Sequence, residues 1–409
     1  MSDSHIPPEL ITNILSHLPV KSLVRFLCVS RQWYDLISDS GFVKKQLNRS
    51  VETNRDRTVI LLEHDGSHCG NGFSFNFDDD EDQFCNAVKM YPPLQHCDIL
   101  DCCDGLVCLL KGREEVVIWN PLLRKYRKLP SEKPKGVTNF WFPQFAFCRD
   151  HQNDDYKVLR LALFHYNDLP IEIKVYSLKS QRWKKVEEQW PNKEICHWDS
   201  ASLNGVVHWL VADYGVLDKE SLLAFDLASE KFKLYTTPVS PDLNQETRLE
   251  VFGGYLCFLV NVFEEYNDVW FMKEYGVESS WTRIYKIERD AVNWDFELFE
   301  YYKPLMFSKN GKKVLLEEHR KNNAILVEHN VEKIYSKNLI WYDLEKKQGK
   351  RVKNWSFPDA FRTATCIGSL LLLDGDNVVD PWQRNASPSE GLNLLLKAVD
   401  ELENEMQEG

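Results

Sequence analysis

The chain has 409 residues, with 62 Asp and Glu against 50 Lys and Arg for a formal net charge of −12 at pH 7, and 43% hydrophobic and 12% aromatic residues. So acidic a chain repels phosphate, which disfavours capture of DNA or RNA by its surface at large, and its apolar content excludes disorder over most of its length. The longest apolar candidate, residues 253–263, falls well short of the roughly 18 residues of a membrane span.

The first 50 residues read as short helices. Pro7 and Pro8 suit a helix opening, where an N–H has no intrahelical acceptor to lose. Leu10, Ile11, Ile14, Leu15 and Leu18 then form an apolar stripe that Pro19 ends. A second segment carries Leu23, Val24, Phe26 and Leu27, and Ser30 caps a third with Trp33, Leu36 and Ile37. Three helices of this size cannot hide so many apolar side chains among themselves. Either they pack on the domain behind them or part of the face meets another protein. Charge fits a partner surface: residues 1–50 hold 6 Lys and Arg against 4 acids, a net of +2, which leaves −14 for the remainder.

Residues 6–37, IPPELITNILSHLPVKSLVRFLCVSRQWYDLI, closely resemble the F-box, the module that docks a substrate receptor onto the Skp1 adaptor of a cullin-based ubiquitin ligase. The resemblance assigns the family's opening Leu-Pro pair to Ile6 and Pro7. It assigns the adaptor-facing positions to Leu10, Ile14, Leu15, Leu18, Pro19, Leu23 and Val24, and its core tryptophan to Trp33. Leu27 and Ser30 stand where the family usually has a basic residue and a cysteine, which leaves the preference among adaptors open.

Residues 51–57 are polar and aperiodic and read as a connector, and the acidic, glycine-bearing residues 65–82 as a loop. From about residue 58 to residue 376 strand follows strand, and a unit recurs: a Gly-led apolar strand, a strand ending in an aromatic residue, a short turn, and a strand mixing aromatic and basic residues. Its aligned anchors are Trp119, Tyr176, Phe225, Trp270 and Trp341, at spacings of 57, 49, 45 and 71 residues. That is the range of propeller blades with loop insertions. Strands led by Gly105, Gly205, Gly254 and Gly368 are expected to be the inner ones. A sheet of this kind buries one face only by stacking on its neighbour, so the expectation is a closed β-propeller of six blades. A pair of stacked sheets is the alternative, and it requires no repeat.

VVIWNPLLRKYRKLP, DYKVLRLA and DVWFMKEYGVESSWTRIYKI resemble the F-box-associated domain that follows the F-box in a large plant family, which includes kelch-like, S-locus and defence-related receptors. The fold class is therefore multi-domain, α plus all-β. An F-box spans residues 1–50, a linker with the acidic insertion and entering strands 51–94, the kelch-like propeller 95–380, and a tail 381–409. In the tail, Ser387, Pro388 and Glu390 open a short amphipathic helix carrying Leu392, Leu395, Leu396, Val399, Leu402 and Met406 on one face.

Handles for chemistry are few. His96, Cys97, Cys102, Cys103 and Cys108 have zinc-ligand types, but Cys102 and Cys103 fall on opposite faces of an extended strand, so no metal is expected. HExxH, Walker, GxGxxG and GxSxG patterns are missing from the sequence, and no cofactor is expected. Asp154, Asp155, Asp226 and Asp343 could meet in a propeller mouth as acid and base; the recurrence of Asp226 and Asp343 at one repeat position points instead to turn formation. KYRKL (125–129) and RWKKV (182–186) interleave bases and aromatics as nucleic-acid binders do, yet they too share a repeat position and read as outer strands. The eleven cysteines are expected as reduced thiols. No secretory signal is read in MSDSHIPPEL, so the expected location is cytoplasmic or nuclear.

The resemblance implies a non-catalytic substrate receptor. Its F-box would bind a Skp1-like adaptor and through it a cullin and a RING subunit, and its propeller a protein substrate, with residues 138–144, 164–168 and 214–218 as candidate contact loops. The alternative is a propeller enzyme or small-ligand binding protein with its site in the central channel.

Overall fold

The computed structural model describes residues 8–53, 56–63, 72–76, 88–132, 141–164, 171–197, 199–213, 216–240, 245–262, 265–288, 299–321, 334–352, 361–371 and 376–377. Four helices open the chain: α1 (Pro8–Leu15), α2 (Val20–Phe26), α3 (Arg31–Ile37) and α4 (Ser40–Thr53). Ser30 caps α3 as expected, its Oγ accepting the Trp33 N–H at 3.2 Å. The fourth helix was not among the three expected, and it absorbs residues 51–53 of the expected connector. Asp39 starts it: its Oδ1 accepts the N–H groups of Gly41 and Phe42 at 2.9 and 3.0 Å. Phe42, Val43, Gln46, Leu47 and Ser50 then recur on one buried face. Among the described residues no helix is long and apolar enough to cross a membrane.

The strands form six antiparallel blades. Blade 1 comprises Asp98–Cys103, Leu106–Lys111, Glu115–Asn120 and Lys125–Lys128; blade 2, Trp141–Asp150, Asp155–Phe164, Glu172–Ser177 and Arg182–Lys185. Blade 3 comprises Ala201–Leu203, Val206–Asp213, Val216–Asp226 and Lys231–Thr236; blade 4, Gln245–Phe252, Tyr255–Val262, Tyr266–Met272 and Trp281–Glu288. Blade 5 comprises Phe299–Phe307, Lys313–Lys321, Ile334–Asp343 and Gln348–Arg351. Blade 6 is composite: Phe361–Ile367 pairs in register with Arg57–Glu63, followed by Gly72–Asn76 and Val88–Met90. The acidic segment read as a loop thus contains a strand, Gly72–Asn76, whose Phe75 is buried.

Each first strand lies against the first strands of both neighbouring blades, so the six surround one axis. One hydrophobic core fills each of the six junctions between blades. The period-2 alternation of a strand serves both neighbours: within Leu106–Lys111, Val107 and Leu109 face blade 6 while Leu106 and Cys108 face blade 2. A closed ring of such junctions replaces the stacked-sheet alternative.

Two details of the repeat are corrected. The Gly-led strands are the second of each blade: Asp104–Gly105, Asn204–Gly205 and Gly253–Gly254 all have positive φ at both residues and form the tight turns from first to second strand. Gly368 leads no strand; it follows Phe361–Ile367 and donates its N–H to the Asp56 carbonyl at 2.9 Å. In blade 5 the residue equivalent to Trp119, Tyr176 and Phe225 is Tyr342, because it faces the preceding blade whereas Trp341 faces blade 6. A shift of one residue exchanges the faces of a strand.

The expectation of uniformly reduced thiols also fails. Cys102 and Cys366, 264 residues apart in sequence, form a disulfide between the first strands of blades 1 and 6, with a Cα–Cα distance of 6.1 Å. Ring closure makes these strands neighbours, which sequence spacing does not display. The expected amphipathic helix of the tail lies outside the described residues.

Candidate functional site

Because the strands alternate in direction, the turns joining first to second and third to fourth strands share one face of the ring. The turns from second to third strands and the connections between blades share the other. The helical module sits on the first of these faces. Its core takes in Leu15, Val20, Leu23, Ile37, Phe42 and Val43 together with Leu370, and Leu122, Leu123 and Leu371 pack against it from the ring. Asn120, fully buried, builds this seat: its Nδ2 donates to the carbonyls of Ser369 and Leu371 at 3.1 and 3.0 Å, and its Oδ1 accepts the N–H groups of Leu122 and Leu123.

Polar contacts fasten the rim of the seat. The Asp56 carboxylate accepts the Val20 N–H at 3.3 Å and the Ser50 hydroxyl at 3.1 Å. On the other side Lys44 of α4 pairs with Asp154, which also binds Arg149 at 2.9 Å, and Arg149 reaches Asp104 at 3.2 Å. Lys44 and Arg149 together hold the Asp154 carboxyl down at about 2.

This seat divides the residues assigned to the adaptor. Leu15 and Leu23 are interior, 2% and 0% exposed, so they hold the module to the ring and offer no outer surface. Leu18 and Val24 are half-buried beside them, and Pro19 is exposed at the start of α2. Leu10 and Ile14, one position before the inward pair Ile11 and Leu15, are 53% and 57% exposed. On an α-helix those two pairs lie about 100° apart, so α1 is apolar on two stripes, and among the described residues only one is covered. Ile6 and Pro7 lie outside the described residues. Trp33 is half-buried and meets Phe26 edge-on at a 5.1 Å centroid distance.

The central channel is charged. Lys303 meets Glu250 at 3.2 Å, Arg248 meets Asp199 at 2.8 Å and also Glu246, and Thr363 donates to Glu317 at 2.6 Å. Burial works against the Lys303 ammonium, yet Glu250, Glu317 and Asp199 keep it above the usual lysine range. Burial pushes the Asp101 carboxyl up to about 7 and Glu250 upward as well. These groups escaped the sequence reading; their signal is a charge in mid-strand, as in Asp101, Arg248 and Lys303. The carboxylates that were considered do other work. Asp226 accepts the N–H groups of Ala228 and Ser229, and Asp343 those of Glu345 and Lys346, as the turn reading expected. Asp155 accepts the Lys179 N–H at 2.9 Å.

The candidate contact loops are largely strand where described. Residues 141–144 begin the first strand of blade 2, with Gln144 buried, Phe164 ends its second, and residues 216–218 begin the third strand of blade 3; the other positions lie outside the described residues. All three segments adjoin the face opposite the helical module.

Comparison with known proteins agrees with both halves. The family described as F-box domain matches residues 4–45, and the F-box associated beta propeller domain matches residues 72–357. The F-box protein CPR1 of Arabidopsis thaliana is 27% identical over 394 residues, covering 90% of this chain and 89% of that protein. The F-box protein At4g22390 of the same plant is 26% identical over 90% of each chain. The F-box/kelch-repeat protein At3g23880, also from Arabidopsis thaliana, is 26% identical over 77% of this chain and 86% of its own.

Proposed function

Since the chain belongs to the F-box proteins that carry an F-box associated β-propeller domain, we propose that it is the substrate-receptor subunit of a Skp1–cullin–F-box ubiquitin ligase. The observation that carries this reading is the exposed Leu10–Ile14 stripe on a helix whose other apolar stripe, Ile11 and Leu15, packs into the core shared with the ring. Two large apolar side chains more than half exposed, side by side on one helix, fit the groove of a partner. Leu18, Pro19 and Val24 complete the docking face, and a cullin and RING subunit follow through the adaptor. The protein substrate binds the opposite face, where the connections between blades emerge.

The receptor contributes proximity and not a nucleophile or base. In the channel, cations and carboxylates mostly pair with one another, which supports internal bracing over an enzyme site there. The complex works in the cytoplasm, the nucleus or both. Co-purification of the full-length chain with a plant Skp1-type adaptor tests the reading. Leu10→Asp with Ile14→Asp abolishes capture without moving the unfolding midpoint. Capture that survives both substitutions refutes this docking face.

A further inference from the structure

The Cys102–Cys366 disulfide lies where the two ends of the ring meet. Phe361–Ile367, from late in the chain, joins three strands from residues 57–90 to complete blade 6, and the disulfide ties it sideways to blade 1. Cys366 also stands just before the seat of the helical module: Gly368 bonds Asp56, Ser369 and Leu371 bond Asn120, and Leu370 enters the helical core. Gly105, next to the same strand end, leaves so little room that a Cβ there would fall 2.3 Å from the Ile367 carbonyl oxygen. The strand end, the disulfide and the seat are one packed unit.

The surrounding thiols do not compete for this bond. Burial and nearby Asp98 raise the Cys97 thiol to about 12, and burial lifts Cys103 and Cys108 well above their ordinary value. Few thiolates arise inside the site to attack the disulfide at neutral pH, so exchange depends on thiols from solution. Cys102 is half-buried whereas Cys366 is 4% exposed, so a thiol from solution approaches the bond from the Cys102 side.

We infer that Cys102–Cys366 is a thiol–disulfide exchange site that governs how firmly the F-box is held on the propeller. A glutathione thiolate attacks the Cys102 sulfur, forming a mixed disulfide as the bond to Cys366 breaks; Cys366 leaves as a thiolate and takes a proton from water. A second glutathione thiolate attacks the glutathione sulfur of the mixed disulfide, releasing glutathione disulfide and the Cys102 thiolate, which is protonated in turn. Two glutathione molecules supply the two electrons. The ring stays closed, because the seven register pairs from Arg57–Ile367 to Glu63–Phe361 persist. What loosens is the segment just beyond these pairs, Gly368 to Leu371, and with it the angle between adaptor face and substrate face. The exchange chemistry is independent of the receptor function proposed above; its consequence for a ligase rests on it.

The test uses full-length protein purified without reductant, alkylated and digested for mass spectrometry, with hydrogen exchange followed at Gly368 and in α2. The expected result is a linked Cys102–Cys366 peptide that glutathione removes. Exchange at the seat should then quicken about tenfold, with the blade 4 amides unchanged. Cys102→Ser and Cys366→Ser should exchange fast with or without glutathione; if either fails to fold, the wild-type comparison alone decides. Full alkylation of both cysteines before reduction, or seat exchange indifferent to glutathione, overturns the inference. Adaptor capture is read in parallel: its failure in every redox state removes the receptor function and leaves the exchange result standing.

Discussion

The side chain of Asn120 and the backbone of Leu371 are joined across the ring closure, Nδ2 to carbonyl oxygen at 3.0 Å, at a point where no solvent reaches Asn120. The same amide binds Ser369, Leu122 and Leu123, so one side chain orders both leucine-bearing segments under the F-box. Asn120→Ala leaves two carbonyls and two N–H groups without that partner. The expected loss is about 3 kcal/mol, given roughly 1 kcal/mol per bond and incomplete replacement by water. Asn120→Asp keeps the acceptor for Leu122 and Leu123 but turns a carboxylate toward two carbonyls, so it should be no milder. Urea unfolding of the two variants measures both.

Gly105 and Gly112 both have positive φ, +81° and +63°, but only Gly105 is crowded. Gly112→Ala should cost about 1 kcal/mol, the strain of an L-residue in the left-handed region. Gly105→Ala adds a collision with the Ile367 carbonyl and the Ser369 Cβ, at 2.3 and 2.4 Å, and backbone cannot swing aside as a flexible side chain does. A loss above about 3 kcal/mol is expected there. Equal unfolding midpoints for the two variants would show that the strand end moves freely.

The repeat was legible because its signals are local. An aromatic residue followed by a turn-forming Asn, Ser or Asp, as in Phe225–Asp226, marks a third strand from the sequence alone, and Ser30 marks a helix start equally well. Trp341 and Tyr342 are both aromatic and so read alike in sequence, and only the packing against blade 4 or blade 6 tells their faces apart. The α1 stripes show the same limit. Leu10 and Leu15 read alike in sequence, and which is covered depends on Leu370 and Leu371 from the far end of the chain. Cys102 and Cys366 likewise meet only once the ring has closed.

His208 gives the fold a dependence on pH. It is fully buried between the Ala201 carbonyl and the Tyr275 hydroxyl, 2.9 Å from each, and burial lowers its pKa to about 4. Between there and the unfolded value near 6.5 the unfolded chain binds more protons, so this histidine makes stability rise with pH across that window. The full effect is about 3 kcal/mol, lost as pH falls to about 4. Asp101, raised to about 7 by burial, contributes the opposite slope across the same range. The difference between wild type and His208→Phe therefore isolates the histidine. Stability measured from pH 4 to pH 7.5 should show that difference shrinking as the medium is acidified.

Asp154 acts in a lower window and with less force. Its carboxyl, held at about 2 by Lys44 and Arg149, is charged in the folded chain at pH values where the unfolded chain has begun to protonate. Its contribution is complete above about pH 4, the unfolded value, and disappears as pH falls through about 2. The side chain is 47% exposed, so solvent screening keeps the contribution of the Lys44 pair below about 1 kcal/mol. Asp154→Asn should therefore lower the urea midpoint slightly at pH 6, by an amount that shrinks in 0.5 M salt and vanishes near pH 2. A double-mutant cycle with Lys44→Ala separates the contact between α4 and blade 2 from the one between Asp154 and Arg149. A coupling energy of zero would mean that this ion pair does not help hold the F-box to the ring, and that the apolar seat around Leu370 and the Asp56 contacts hold it without that pair.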